Sequence, residues 1–169
     1  MLAKKHHPFI TAITVLIFTV VLFFDSNTLI DISIKNATPL IALALVTGYS
    51  IFASCGYAAI AGIISGAMID SVASRSYCFN TVSFLLLGVL VSLAANNLFN
   101  KNIRAAVALT VITSVMYFTA RWLVFMAFGV SIQNSMVYLL SYALPSAFYS
   151  AAFIFPFFYI FRYFSRRKA

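Results

Sequence analysis

Residues 57–73 read YAAIAGIISGAMIDSVA, and this stretch decides the fold class. It holds no Lys, Arg or Glu, and its one acid is Asp70. An apolar run of this kind reads as a membrane helix, which needs about 20 predominantly apolar residues. Ala58, Gly62 and Gly66 recur within it at four-residue steps, so they share one helix face. Small residues let two helix backbones approach until dispersion contacts hold them. Asp70 continues the same step, so the small-residue ridge and the carboxylate face the same way. A face carrying a charge meets protein and not lipid. It is therefore a helix-packing face toward another span of this chain, or a face for a partner; the first is the expectation.

Similar runs lie on both sides of this one. The sequence predicts six spans, at about 8–24, 39–54, 57–73, 78–95, 104–128 and 135–161. The polar segments between them are short, and the longest runs from Asp25 to Thr38. Cys55 and Gly56 form a tight connection between spans two and three, and these two spans also fit a single re-entrant hairpin. The first run is preceded by Lys4 and Lys5 and ends at Asp25, Ser26 and Asn27, with no Ala-x-Ala site, so it reads as an uncleaved span. The expected fold is an all-α polytopic membrane protein: one domain over residues 1–169, built as a single bundle of about six transmembrane helices.

Composition supports this reading. The chain of 169 residues is 63% hydrophobic and 8% charged, with a mean hydropathy of +1.02. Soluble domains carry roughly 25% charged residues, and so few charges cannot cover a water-facing surface. The net charge of +8 does not point to nucleic acid, because the basic residues cluster at span ends and not along an exposed face. Lys and Arg concentrate on the cytoplasmic side of membrane proteins. With the N-terminus inside, eight basic residues lie inside: Lys4, Lys5, Lys101, Arg104, Arg162, Arg166, Arg167 and Lys168. Only Lys35 and Arg75 lie outside, and Arg121 is within span five. Both termini are therefore expected in the cytoplasm.

Charged groups at membrane depth cost roughly 2.5–3.5 kcal/mol each on insertion scales, so they are usually paired or face a polar interior. Asp70 lies about 20 Å along span three and Arg121 about 25 Å along span five, both rising from the inside. The similar depth suggests an intramembrane ion pair between Asp70 and Arg121. The competing reading sends each side chain separately to the outer interface, Arg121 by snorkelling. Phe23, Phe24, Tyr77, Phe79, Trp122 and Phe161 fall near span ends, where an aromatic belt is expected.

Catalytic chemistry finds no support. There is no Glu and no His after His7, so no nucleophile, base and acid can be assembled. His6 and His7 lack further ligands and make a poor metal site. Cys55 and Cys78 fall at opposite ends of one helix and are read as two small apolar residues. No catalytic residue, metal site or cofactor is expected.

Two stretches resemble the MreD family of bacterial rod-shape determination. The first runs from Gly56 to Asp70, followed by Phe79-Asn80 and by Leu86-Leu87-Gly88-Val89-Leu90-Val91. It is similar to that family's glycine-rich helix ending in Asp, its short turn and its next helix with a central Gly. The second is Leu144-Pro145-Ser-Ala-Phe-Tyr149, followed by Phe155-Pro156-Phe-Phe-Tyr159 and a basic segment, and it resembles the family's last span. Two positions depart from the pattern. Cys78 stands where Gly is frequent, and Ser150 stands where Asn often follows the Tyr. The resemblance implies a non-catalytic component of the cell-elongation machinery that affects cell shape and peptidoglycan synthesis. Its implied partners are an MreC-like single-span scaffold, the actin-like MreB, RodA and a class B penicillin-binding protein, with membrane lipid around it. A second family has the same size and span number: the substrate-binding components of energy-coupling-factor vitamin transporters. The Asp25–Thr38 loop fits them, whereas Leu16, four residues after Ala12, departs from their Ala-x-x-x-Ala docking step.

Overall fold

The computed structural model describes residues 8–26, 40–72, 78–97, 102–127 and 144–167. These residues are helical nearly throughout, and no strand occurs among them. The helices are α1 (Pro8–Ser26), α2 (Ile41–Ser50), α3 (Cys55–Val72), α4 (Phe79–Asn97), α5 (Ile103–Ala127), α6 (Leu144–Ala152) and α7 (Ile154–Arg167). Two segments, Phe79–Asn97 and Ile103–Val124, are long and apolar enough to cross a membrane. Ile13–Phe23, Ile41–Ser50 and Cys55–Ser71 are shorter apolar helical segments.

The bundle is built around α2. Residues 42–48 and Ser50 are all buried, and α2 touches each of the other six helices. A helix that is apolar all round belongs in the middle of a protein. Its core cluster joins Leu43 and Leu45 to Phe18 and Leu22 of α1, Phe84 of α4, Tyr117 of α5 and Phe161 of α7. A second cluster gathers Ile51, Val91, Ala95, Ala106, Leu109, Ile154 and Phe158.

Contacts between helices fix their relative directions. Gly62 lies against the backbone of Phe84 and Leu85, and Gly66 against Asn80 and Thr81, so α3 and α4 are antiparallel. Leu40 is bonded to Ser150, and Gly48 faces Ile154, Phe157 and Phe161. Hence α2 runs parallel to α6 and α7.

Three expected spans need correction. Span two was expected over 39–54, but α2 covers ten residues, about 15 Å at 1.5 Å per residue. The chain leaves the helix early because Phe52 N–H bonds to the Tyr49 carbonyl, tightening the last turn, and Ser92 Oγ donates to the Ala53 carbonyl at 2.9 Å. The connection to α3 is therefore residues 51–54, and Cys55 and Gly56 already belong to α3. Span six was expected as one helix over 135–161. Residues 135–143 lie outside the described residues, and the rest breaks at Phe153 between α6 and α7. Pro156 explains the break: it has no N–H for the carbonyl of Ala152, and its ring clashes with that carbonyl. α7 then continues to Arg167, so Arg162 and Arg166 are helical. Phe161, expected in an interfacial belt, is buried against Phe18 and Tyr49, with ring centroids 6.3 and 5.4 Å away.

Candidate functional site

α3 and α4 approach so closely that no side chain fits between them. A Cβ built on Gly62 would lie 2.4 Å from the Phe84 carbonyl oxygen, and one on Gly66 would lie 2.4 Å from the Thr81 Cα. On the α4 side, a Cβ on Gly88 would lie 2.9 Å from the Ala58 carbonyl oxygen. Ala58, Gly62 and Gly66 are all buried. The small-residue face thus belongs to the α3–α4 seam.

The seam ends in a polar network. α4 begins at Phe79, and the preceding residue, Cys78, has a φ of 59°. That left-handed conformation costs an L-residue roughly 1–2 kcal/mol, and Gly adopts it freely. The Cys78 carbonyl accepts the Val82 N–H and starts the helix. The first N–H groups of a helix have no partner within it, and a side chain at the N-cap usually accepts one. Here the acceptor comes from the previous helix. Asp70 Oδ1 accepts the Asn80 N–H at 3.3 Å and the Asn80 side-chain amide at 2.8 Å. Its Oδ2 accepts the Thr81 N–H at 2.8 Å and the Thr81 hydroxyl at 2.6 Å. A carboxylate at a helix N-terminus is also favoured by the helix dipole.

The network reaches a third helix. Tyr117 Oη of α5 donates to Asn80 Oδ1 at 2.6 Å, and its ring packs on Phe79 and Phe84 at centroid distances of 5.9 and 5.6 Å. Tyr117 and Asn80 are buried, and Asp70 is half-buried. Asp70, Asn80 and Tyr117 therefore tie α3, α4 and α5 together at one level. Sequence reasoning singled out Asp70 and Asn80 separately and missed Tyr117 and Thr81. A signal was present: Tyr117 lies four residues before Arg121, one turn along the same face of α5. Arg121 itself is half-buried a turn beyond Tyr117. The expected Asp70–Arg121 pair thus concerns a carboxylate that already receives four hydrogen bonds from α4.

The remaining expected residues are scattered. Pro145 opens α6 and is exposed, Tyr149 lies within α6, and Pro156 and Tyr159 are exposed on α7. Ser150, one of the two departures from the family pattern, is buried. Its Oγ accepts the Leu40 N–H at 2.8 Å and donates to the Ser146 carbonyl at 2.8 Å. It caps α2, as an Asn in the same place would also be able to do.

Chemically, this arrangement orders helices. The Asp70 oxygens, the Asn80 amide and the Tyr117 hydroxyl are all engaged with one another or with the α4 backbone. No group of three or more His, Cys, Asp or Glu residues suited to a metal ion occurs among the described residues. Cys55 and Cys78 are free thiols. His6, His7, Asp31 and the Asp25–Thr38 loop beyond Ser26 lie outside the described residues. Comparison with protein-family models, with curated proteins and with solved structures finds no match to this chain.

Proposed function

We propose that this protein is a six-pass component of a bacterial cytoplasmic membrane, with both termini inside, that acts without catalysis. On this reading it belongs to the cell-elongation machinery and influences cell shape and peptidoglycan synthesis by binding an MreC-like single-span scaffold. MreB, RodA and a class B penicillin-binding protein are the further partners that the resemblance implies.

One observation carries the non-catalytic part of this reading: the Asp70 carboxylate has both oxygens bound by α4. A general base or ion ligand needs a lone pair directed at its substrate. Asp70 directs its lone pairs at a helix terminus. The outer surface fits the binding part. Large apolar side chains are exposed along α3 at Tyr57, Ile60 and Ile64 and along α4 at Val82, Leu86, Leu90 and Leu93. Such faces suit acyl chains or a partner's helix. The parallel directions of α2 and α7 fit an even number of passes, and the distribution of Lys and Arg supports the orientation.

The test is purification of the tagged chain from its native membrane in mild detergent, with identification of what accompanies it. An MreC-like single-span protein is expected. A tightly held vitamin, with no such protein, would overturn this reading in favour of a transporter's substrate-binding component.

A further inference from the structure

We propose that the exposed face of α7 holds an anionic phospholipid, with Arg162 as its headgroup ligand. The proposal shares only the membrane setting with the function proposed above.

One face of α7 is spent on the core: Ile154, Phe157, Phe158 and Phe161 are buried. The opposite face changes character along its length. Phe155 is 48% exposed, Tyr159 60% and Tyr163 53%, at four-residue steps. The helix then reaches Arg166 and Arg167. From Phe155 to Tyr163 is about 12 Å at 1.5 Å per residue. The order along this face is thus an apolar ring followed by phenols, with the Arg162 charge at the level of the first phenol. A phospholipid presents the matching order of acyl chain, ester groups and phosphate, and Tyr is enriched at headgroup level.

Arg162 sets a specific site apart from a diffuse basic end. Its guanidinium carbon lies 5.8 Å from the centroid of the Phe158 ring. The side chain therefore runs back toward the N-terminus of α7, as helical side chains do. Its charge sits at the level of Phe158 and Tyr159, a full turn before its own Cα. It is directed away from the last carbonyls of α7, so it is not capping that helix end. A cation held there also lies deeper than one that snorkels toward water.

Among the described residues of α2 to α7 the one acid is Asp70. Residues 71–169 contain no Asp or Glu. Asp70 is engaged at the start of α4. A phosphate on a lipid is the anion that the setting provides, and Arg binds it with a planar fork of donors.

The experiment uses the purified full-length chain in mild detergent, given equal amounts of phosphatidylglycerol and phosphatidylcholine, with retained lipid counted by native mass spectrometry. The wild type is expected to retain phosphatidylglycerol preferentially, by at least about fivefold, the effect of one well-placed cation at an anionic headgroup. Arg162→Gln should remove the preference and Arg162→Lys should keep part of it. Should Arg162→Gln fail to elute as a folded species, the double variant Tyr159→Leu/Tyr163→Leu is expected to lower retention instead. Equal retention of the two lipids by the wild type overturns the proposal. So does a preference that survives Arg162→Gln but disappears in Arg166→Gln/Arg167→Gln/Lys168→Gln. Capture of an acidic peptide such as a poly-Glu decamer, with no lipid preference, overturns it in favour of a protein partner. All readouts are made on the chain alone, so they stand or fall separately from co-purification of a scaffold.

Discussion

Asp70 shows how a single carboxylate serves as the N-cap of a helix to which it does not belong. Charge-assisted hydrogen bonds are roughly twice as strong as neutral ones, and a buried donor left without an acceptor costs about 1–3 kcal/mol. Asp70→Ala strips the Asn80 and Thr81 N–H groups of their acceptor, and a loss of about 2–4 kcal/mol of stability is expected. Tyr117→Phe removes one interhelical bond, to Asn80 Oδ1, and should cost about 1 kcal/mol, in line with such bonds between membrane helices. The network predicts that these losses are coupled, since Asn80 bonds to both residues. A double-mutant cycle on thermal unfolding in detergent measures the coupling. Strictly additive losses would show that Asp70 and Tyr117 act separately. The place of Asp70 on the small-residue face of α3 was readable in the sequence, because helical periodicity alone fixes it. Its partners were not. They lie across a turn, and their meeting depends on how the α3–α4 connection folds.

Among the elements, the α3–α4 hairpin was the more legible and α2 the less. The steps Ala58, Gly62 and Gly66 announce a close helix contact, and α4 fills it. The ends of α2 left no local mark, because residues far away in the chain satisfy them. Ser150 accepts the Leu40 N–H across 110 positions, and Ser92 donates to the Ala53 carbonyl across 39. An apolar run in sequence therefore overstates the length of a helix that is buried on all sides. The seam itself makes a sharp prediction about glycine. Gly62→Ala forces a methyl group against the backbone of Phe84 and Leu85, which has no flexible end to move. Overpacking of this kind costs about 1–3 kcal/mol. Gly56→Ala meets nothing within 4 Å near the start of the same helix. It should be neutral or stabilising by up to about 1 kcal/mol, since Ala loses less freedom than Gly in a helix. Melting temperatures of the two variants are expected to move apart, and equal shifts would mean that the α3–α4 backbones are not in contact.

At the scale of the whole molecule, the physical question is which end of each helix faces which side. The arrangement of helices fixes relative directions only, and the proposed orientation rests on charge. Reversing it would leave Lys4, Lys5, Lys101, Arg104, Arg162 and the basic residues after it on the outer side, against the usual retention of Lys and Arg in the cytoplasm. The two native cysteines are placed to read the answer. Cys55 begins α3 and is half-buried, whereas Cys78 precedes α4 and is exposed. α3 runs the whole way between those two levels, and its 18 residues span about 27 Å. With the N-terminus inside, Cys78 lies on the outer side and Cys55 at the cytoplasmic end. A membrane-impermeant maleimide added to intact spheroplasts should then modify the Cys55→Ser variant, which retains Cys78. The Cys78→Ser variant, which retains Cys55, should stay unmodified until the membrane is permeabilised. The opposite pattern would invert the bundle and place the α7 arginines outside. Modification of both variants at the same rate in intact spheroplasts would mean that α3 does not separate two compartments at all.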